Sequence, residues 1–291
     1  MRHIVSVSLG SSKRDKVLET EIFGTPVRIE RRGTDGDKRR FQQLLKELDG
    51  KVDAIGLGGC DLHLWAQGRR YTFRDVQKLV SVVQHTPVVD GSGLKNTLER
   101  WAVERIEQKG LLEWSSQNVL LVSALDRFGM AEALAEKAGS VVFGDALFAL
   151  GLPLPIRDIR TLARLARVVL PVVVRLPFEW LYPVGEKQEQ NTPRWERYFR
   201  WADVIAGDWH YIHRYAPHDL SGKVILTNTV RQADVQFLRE RGADLLLTTT
   251  PVFHGETFAT NVLEAVIVAL SGSAELHESD YHLWLSRLGW D

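Results

Sequence analysis

A carboxylate stands at the end of a short apolar run, between glycines and an apparent helix. The stretch 86–98 reads TPVVDGSGLKNTL, and its aspartate is Asp90. In α/β proteins, side chains at the carboxyl ends of strands face the ligand cleft, so Asp90 could contact a substrate. An aspartate is also a common helix N-cap. The local sequence leaves both roles open.

A second group of polar residues follows the first predicted strand. Its members are Ser8, Ser11, Ser12 and Lys13 in the stretch VSVSLGSSKRD. Exposed amides and hydroxyls at a strand end can hold a carboxylate or a phosphate. We therefore assign substrate binding to these four residues, with an ordinary polar turn as the alternative.

Three further segments carry residues that could contact a ligand. In SALDRFG, Arg127 could bind a carboxylate or phosphate, or simply neutralise Asp126. The segment DWHYIHRYAPH contains an aspartate and three histidines, and we favour substrate contacts or core packing over a metal site because their spacing matches no strong metal signature. The polar residues Glu186, Lys187 and Asn191 are candidates for a loop over the cleft.

The elements that must position these residues alternate between strands and helices. Apolar residues recur with period two in 4–9 and at helical spacing in 38–48, and the alternation continues through later runs such as NVLLVSA and VVFGD. Strands separated by helices predict parallel pairing. The runs around Gly24 and Thr25 predict a hairpin.

The expected fold is α/β, with two domains that each contain a mostly parallel sheet and flanking helices. Residues 1–110 form the first, substrate-type domain, and the C-terminal helices from about residue 259 could pack back on it. Residues 111–291 form the second, Rossmann-like domain. A chain of 291 residues is long enough for two hydrophobic cores.

Composition excludes several functional classes. Lys plus Arg equals Asp plus Glu at 37 each, so no overall charge favours nucleic acid or an anionic membrane. The single cysteine, Cys60, excludes an internal disulfide. The apolar stretch 162–178 is interrupted by three arginines and by Pro171, and we expect no membrane span. We expect a cytoplasmic protein that acts on a small molecule, with a homodimer possible.

The order of motifs resembles the shikimate and quinate dehydrogenase family. Asp90-Gly91-Ser92-Gly93 is followed by a helix and then by NVLLVSALDRFGMAEALAEKAGSVVFGD, and the later GKVILTNTVRQADVQFLRERGADLLLTTTP is also similar to that family. The resemblance covers residues 86–270 in outline.

This resemblance implies NAD(P)-dependent oxidation of a ring hydroxyl on a small carboxylic acid. A lysine and an aspartate would handle the hydroxyl proton. Asp90 matches the family's aspartate, and Lys95, with Lys13 as the alternative, is the candidate lysine, although neither matches a motif. The cofactor, NAD or NADP, would lie at the first turn of the second domain. The candidate cofactor-binding residues are Ser123, Asp126, Arg127, Gly129 and Asp145.

Two departures from the family pattern support a different function. The turn SALDRFG contains a carboxylate and one glycine where a dinucleotide turn is glycine-rich, and no Asn-x-Thr-x-Pro-x-Lys run occurs between residues 50 and 86. The alternative is a non-redox Rossmann-like protein that binds a small anionic metabolite or nucleotide. A phosphate-binding hydrolase or transferase lacks a convincing nucleophile and base.

Overall fold

The computed structural model describes residues 1–177, 190–250, 252–253, 256–257, 259–273 and 275–287, with backbone alone for 252–253 and 256–257. Two mostly parallel sheets with flanking helices dominate these residues. The predicted α/β class is confirmed.

The first sheet has the strand order β2-β3-β1-β4-β7 within the described residues. Its strands are β1 Arg2–Ser8, β2 Lys16–Ile22, β3 Thr25–Gly33, β4 Ala54–Gly58 and β7 Val88–Val89. Strands β1, β3, β4 and β7 pair in parallel, while β2 and β3 form the predicted antiparallel hairpin. Strand β1 has β3 on one side and β4 on the other, so the order of the strands along the chain reverses at β1. A cleft is expected where strand order reverses in this way.

The second sheet is parallel throughout its described strands, in the order β12-β11-β10-β8-β9. The strands are β8 Asn118–Leu121, β9 Ser140–Phe143, β10 Val204–Ala206, β11 Val224–Thr227 and β12 Leu245–Thr248. Numbered along the chain, this order is 2-1-3-4-5, a doubly wound arrangement. Its reversal point lies between β8 and β10.

Two short antiparallel pairs complete the strands. They are β5 His63–Ala66 with β6 Arg69–Thr72, and β13 Val252–Phe253 with β14 Glu256–Thr257. The local sequence pattern predicted neither β5 nor β6. Gln67 and Gly68 between them both have positive φ, as a two-residue hairpin turn requires.

Helices cover the sheets. They are α1 Lys38–Leu48, α2 Arg74–Val80, α3 Ser92–Gln108, α4 Phe128–Lys137, α5 Asp145–Phe148, α6 Ile159–Val173, α7 Glu196–Trp201, α8 Trp209–Tyr215, α9 Gln232–Glu240, α10 Thr260–Ser271 and α11 Glu278–Arg287. Helix α1 shows how the local sequence sets the start of a helix and its buried face. The Asp37 carboxylate accepts hydrogen bonds from Arg39 N and Arg40 N, and the apolar face of α1 is buried. In the described residues, no helix is long and apolar enough to cross a membrane.

The long helix α3 connects the two halves of the molecule. It packs against α4 of the second half, and α10 and α11 return to pack against α3. One buried apolar cluster extends from Val5 and Leu57 of the first sheet, through Phe128, to Val119 and Leu121 of the second. The region between the sheets is therefore packed around α3.

Candidate functional site

A narrow recess lies where β5, the first half of α3 and the turn after β8 meet. The side chains that carry its chemistry are His63, Trp65, Lys95, Glu99, Asp126 and Arg127. Arg127 and Asp126 follow β8, so they stand near the reversal point of the second sheet. The space left for a water-sized sphere is about 10 Å³, or room for one water molecule. A larger ligand would require these side chains to separate.

A buried ion network crosses this recess. The Arg127 guanidinium donates to Glu99 Oε1 and, over 3.2 Å, to Asp208 Oδ2. Glu99 and Arg127 are 1% and 2% exposed, so neither charge is solvated. Burial raises the pKa of the Glu99 carboxyl, and Arg127 opposes this shift. The network joins α3 to the ends of β8 and β10.

Three buried polar atoms beside the recess lack a hydrogen-bond partner among the described residues. They are Trp65 Nε1, Glu99 Oε2 and Arg127 Nε. A buried polar group without a partner costs about 1–3 kcal/mol, so native structures rarely retain several in one place. Two of these atoms are donors and one is an acceptor. Hydroxyl or carboxylate oxygens of a ligand could satisfy the two donors, and a ligand hydroxyl could donate to the acceptor.

Lys95 also lies in the recess, and its partner is Asp126. Lys95 Nζ is 2.7 Å from Asp126 Oδ1. Burial alone would lower the pKa of Lys95, but the carboxylates of Asp126 and Asp61 outweigh burial and raise this pKa. Lys95 is therefore an ammonium at neutral pH. It can donate hydrogen bonds to a ligand oxygen.

Asp90 lies at the start of α3 and holds local structure. Oδ2 accepts from Leu62 N at 2.6 Å and from His63 N at 2.7 Å, while Oδ1 accepts from Ser92 N and Oγ. These four hydrogen bonds tie the loop before β5 to the first turn of α3. The N-cap of α3 is Gly91, so the prediction that Asp90 is a helix N-cap is wrong, and catalysis by Asp90 stays a prediction.

The four predicted substrate-binding residues are largely engaged within the turn after β1. Ser8 Oγ accepts from Gly10 N and Arg31 Nη2, and Ser11 Oγ accepts from Lys13 N. The Ser12 amide and hydroxyl donate to the Asp35 carboxylate at 2.8 and 2.7 Å. The carboxylate of Asp35 thus takes the place that an anionic ligand would occupy. The side chain of Lys13 is exposed.

The predicted cofactor residues surround the turn after β8, but this turn does not fit a pyrophosphate. Asp145 accepts hydrogen bonds from Ala124 N and Leu125 N. A Cβ on Gly129 would lie 2.3 Å from Asn96 O, so this glycine permits the approach of α3. Ser123 Oγ accepts from Asp208 N. The amides of Ala124 and Leu125 already donate to Asp145, Asp126 is paired with Lys95, and Arg127 is paired with Glu99, so the turn holds its own carboxylates where a phosphate would lie.

Other predicted residues have structural contacts. Asp208 caps α8, and the His213 ring lies 4.4 Å from the Phe237 ring centroid. No group of three or more potential metal-ligating His, Cys, Asp or Glu side chains occurs in the described part of the chain. Asn191 Nδ2 donates to His213 O and Ala216 O. The predicted loop residues Glu186 and Lys187 lie outside the described residues.

Sequence reasoning missed Trp65 and Glu99. Glu99 lies one helical turn after Lys95, beside the buried positions Leu94 and Leu98, so a charge next to an apolar stripe was the available signal. Trp65 belongs to the missed hairpin, whose signal was Gln67-Gly68 between two alternating runs.

Comparison with known families gives two adjoining matches. Residues 93–291 match a domain of unknown function, DUF8754, and residues 3–90 match a second one, DUF8753. No curated protein matches the chain.

Solved structures that resemble the chain do so weakly. One is an NAD-dependent malic enzyme from Thermotoga maritima, with 13% sequence identity and a TM-score of 0.36. The match covers 85% of this chain and 65% of the malic enzyme chain. A glutamate dehydrogenase from Thermus thermophilus has 14% identity, coverage of 99% and 73%, and a TM-score of 0.41. The methylenetetrahydrofolate dehydrogenase-cyclohydrolase of Trypanosoma brucei, complexed with NADP, has 10% identity, coverage of 98% and 88%, and a TM-score of 0.36. These values are too low to transfer an activity.

Proposed function

The chain belongs to the DUF8754 family, and we propose that it binds a small polyhydroxylated carboxylic acid, of the quinate and shikimate class, in the recess beside α3. The observation that carries this proposal is the convergence on one recess of three buried polar atoms that have no partner in the described part of the chain, Trp65 Nε1, Glu99 Oε2 and Arg127 Nε. Recesses with a few convergent polar groups and titratable residues are the usual ligand sites of α/β proteins.

The polar groups of the recess suit a hydroxy acid. Arg127 Nε, Trp65 Nε1 and the Lys95 ammonium are donors for a carboxylate or a hydroxyl oxygen. Glu99 Oε2 and the Asp126 carboxylate are acceptors for hydroxyl protons. Because a hydroxyl both donates and accepts, a ring with several hydroxyls and one carboxylate could use both kinds of group.

Binding requires the recess to widen. The present space holds about one water molecule, and the contact of 2.7 Å between Lys95 Nζ and Asp126 closes it. A ligand that accepts from Lys95 and donates to Asp126 would replace this ion pair with two hydrogen bonds of the same polarity. The protein then acts in non-redox binding, since the turn after β8 does not fit a dinucleotide.

The second candidate is the NAD(P)-dependent dehydrogenase of the quinate and shikimate type. The contact of Lys95 with Asp126 in the recess favours it, because a lysine and an aspartate are the pair that this chemistry uses on the ring hydroxyl. Lys95 would first have to lose its own proton before it could accept that of the hydroxyl. Asp126, rather than Asp90, would then be the partner of Lys95. This function further requires Asp145 to leave the turn after β8.

The test is calorimetric titration of the purified protein with quinate and with shikimate. We compare wild type with Glu99→Gln, which replaces the unpartnered acceptor by an amide. Glu107→Gln is the matched control, since Glu107 lies on the same helix and pairs with Lys137 away from the recess. We expect Glu99→Gln to weaken binding at least tenfold and Glu107→Gln to bind like wild type. No binding by wild type, or equal binding by both variants, overturns the proposal.

A second measurement separates the two candidates. NAD or NADP is added together with either acid, and formation of reduced nicotinamide is followed by absorbance. Acid binding without nicotinamide reduction supports the non-redox function. Reduction that depends on the acid establishes the dehydrogenase in its place.

A further inference from the structure

The turn after β8 is built like an anion-binding site. Ala124 N and Leu125 N are consecutive backbone amides at the carboxyl end of β8, beside the reversal point of the second sheet. Consecutive amides that point toward one acceptor bind carboxylates and phosphates well. In doubly wound proteins, the turn at this position is where phosphate is usually held.

An anion of the chain itself occupies this turn. Asp145 Oδ1 accepts from Leu125 N at 2.9 Å, and both carboxylate oxygens lie 3.1 Å from Ala124 N. Asp145 is 8% exposed, so solvent does not replace these bonds. The two amides are therefore used by a side chain that comes from the end of the neighbouring strand, β9.

The backbone before Asp145 is held in place. Gly144 N donates to Leu121 O at 2.8 Å, which joins the residue before Asp145 to the end of β8. A Cβ on Gly144 would lie 2.6 Å from the Phe148 ring, so the chain turns closely at this glycine. Asp145 consequently enters the turn from a constrained position.

No cation neutralises Asp145 among the described residues. Its hydrogen bonds come from backbone amides, and the titratable groups that face it are Asp126 and Tyr211. Asp145 therefore contacts the turn as a bound anion would. The turn after β1 has a similar arrangement, in which the Asp35 carboxylate accepts from the amide and hydroxyl of Ser12.

We infer that the Asp145 carboxylate permanently occupies the anion-binding amides of the turn after β8. Phosphate-bearing ligands are therefore excluded from this turn, and the cleft is restricted to acids without phosphate. A pyrophosphate at this turn would have to displace a buried carboxylate from two amides and would lie beside a second carboxylate, Asp126. The inference rests on the proposed function only for the identity of the acid in the recess.

The experiment measures binding of inorganic pyrophosphate by calorimetry and of NADH by fluorescence. In wild type we expect no saturable binding of either below about 1 mM. Asp145→Ala frees both amides, and we expect saturable pyrophosphate binding that is at least tenfold tighter than in wild type. Tight NADH or pyrophosphate binding by wild type, or no gain in Asp145→Ala, overturns the inference.

Two further variants keep the test decisive. Asp126→Asn removes a carboxylate from the same turn but leaves the bonds of Asp145 in place. A gain in Asp126→Asn as large as that in Asp145→Ala would show that any loss of negative charge suffices, and it would overturn the specific role of Asp145. If Asp145→Ala does not fold, as judged by circular dichroism, Asp145→Asn replaces it and is expected to show a smaller gain in pyrophosphate binding; no gain overturns the inference.

Failure of the proposed function gives a different result. It would appear as absence of quinate and shikimate binding in wild type, while pyrophosphate binding by Asp145→Ala would be unaffected. The two proposals are therefore tested by different ligands.

Discussion

The turn after β8 and the recess beside α3 contain adjacent residues but satisfy their polar groups differently. In the turn, Ala124 N and Leu125 N both donate to Asp145. In the recess, polar atoms of Trp65, Glu99 and Arg127 are buried without partners in the described structure. A site that satisfies its own polar groups has little to gain from a ligand, whereas unsatisfied groups gain the hydrogen bonds they lack. This contrast favours the recess as the ligand site that we propose, although the sequence pointed to the turn.

The largest effect on stability is expected from substitution of Arg127. This residue follows the turn after β8, but its side chain lines the recess. Arg127→Met leaves the Glu99 carboxylate buried without its guanidinium. We expect a loss of about 3–5 kcal/mol in the free energy of unfolding, measured by urea denaturation. The double variant Arg127→Met with Glu99→Leu should recover most of this loss, because neither buried charge remains. A loss below about 1 kcal/mol in the single variant would mean that water reaches the network.

The pH dependence of stability should distinguish the turn from its surroundings. Burial raises the pKa of Asp145 to about 6, above its ordinary value of 3.8. Folding therefore favours the protonated form, and this contribution to stability is complete below pH 3.8 and is lost as pH rises through about 6. Relative to Asp145→Asn, wild type should lose about 1–3 kcal/mol between these limits. Chemical denaturation at several pH values measures the difference, and parallel curves for the two proteins would contradict it.

The smallest stability effect, and the most specific, concerns two tryptophans. Trp65 Nε1 has no hydrogen-bond partner among the residues that the structure describes, whereas Trp114 Nε1 donates to Val103 O at 2.8 Å. Trp114→Phe should lower the free energy of unfolding by about 1 kcal/mol or more, because it leaves the Val103 carbonyl without that donor. Trp65→Phe should change stability by less than about 0.5 kcal/mol and weaken quinate or shikimate binding about tenfold.

The stability half of this comparison does not depend on the ligand. If thermal denaturation shows the same loss for Trp65→Phe as for Trp114→Phe, then Trp65 Nε1 has a partner after all. The recess would then lose one of its three unsatisfied atoms, and the contrast with the turn would weaken.

Much of the fold followed from local patterns. Period-two runs predicted the hairpin of β2 and β3, and the alternation of strands with helices predicted parallel sheets. The hairpin of β5 and β6 was missed because its strands have four residues each and its turn residue Gln67 rarely takes a positive φ. That hairpin supplies Trp65, so the missed element also concealed part of the site.

The amino-acid sequence by itself determined most of the segments that become strands and helices, and it indicated Lys95, Asp126 and Arg127 as candidate site residues. Only the tertiary structure decided their partners. Lys95 pairs with Asp126, 31 residues away, and Asp145 reaches back 20 residues to the amide of Leu125. Periodicity records which face of an element is buried, because burial acts on each residue separately. Pairing between charges depends on how parallel strands and α3 bring distant segments together, and no local pattern contains that information.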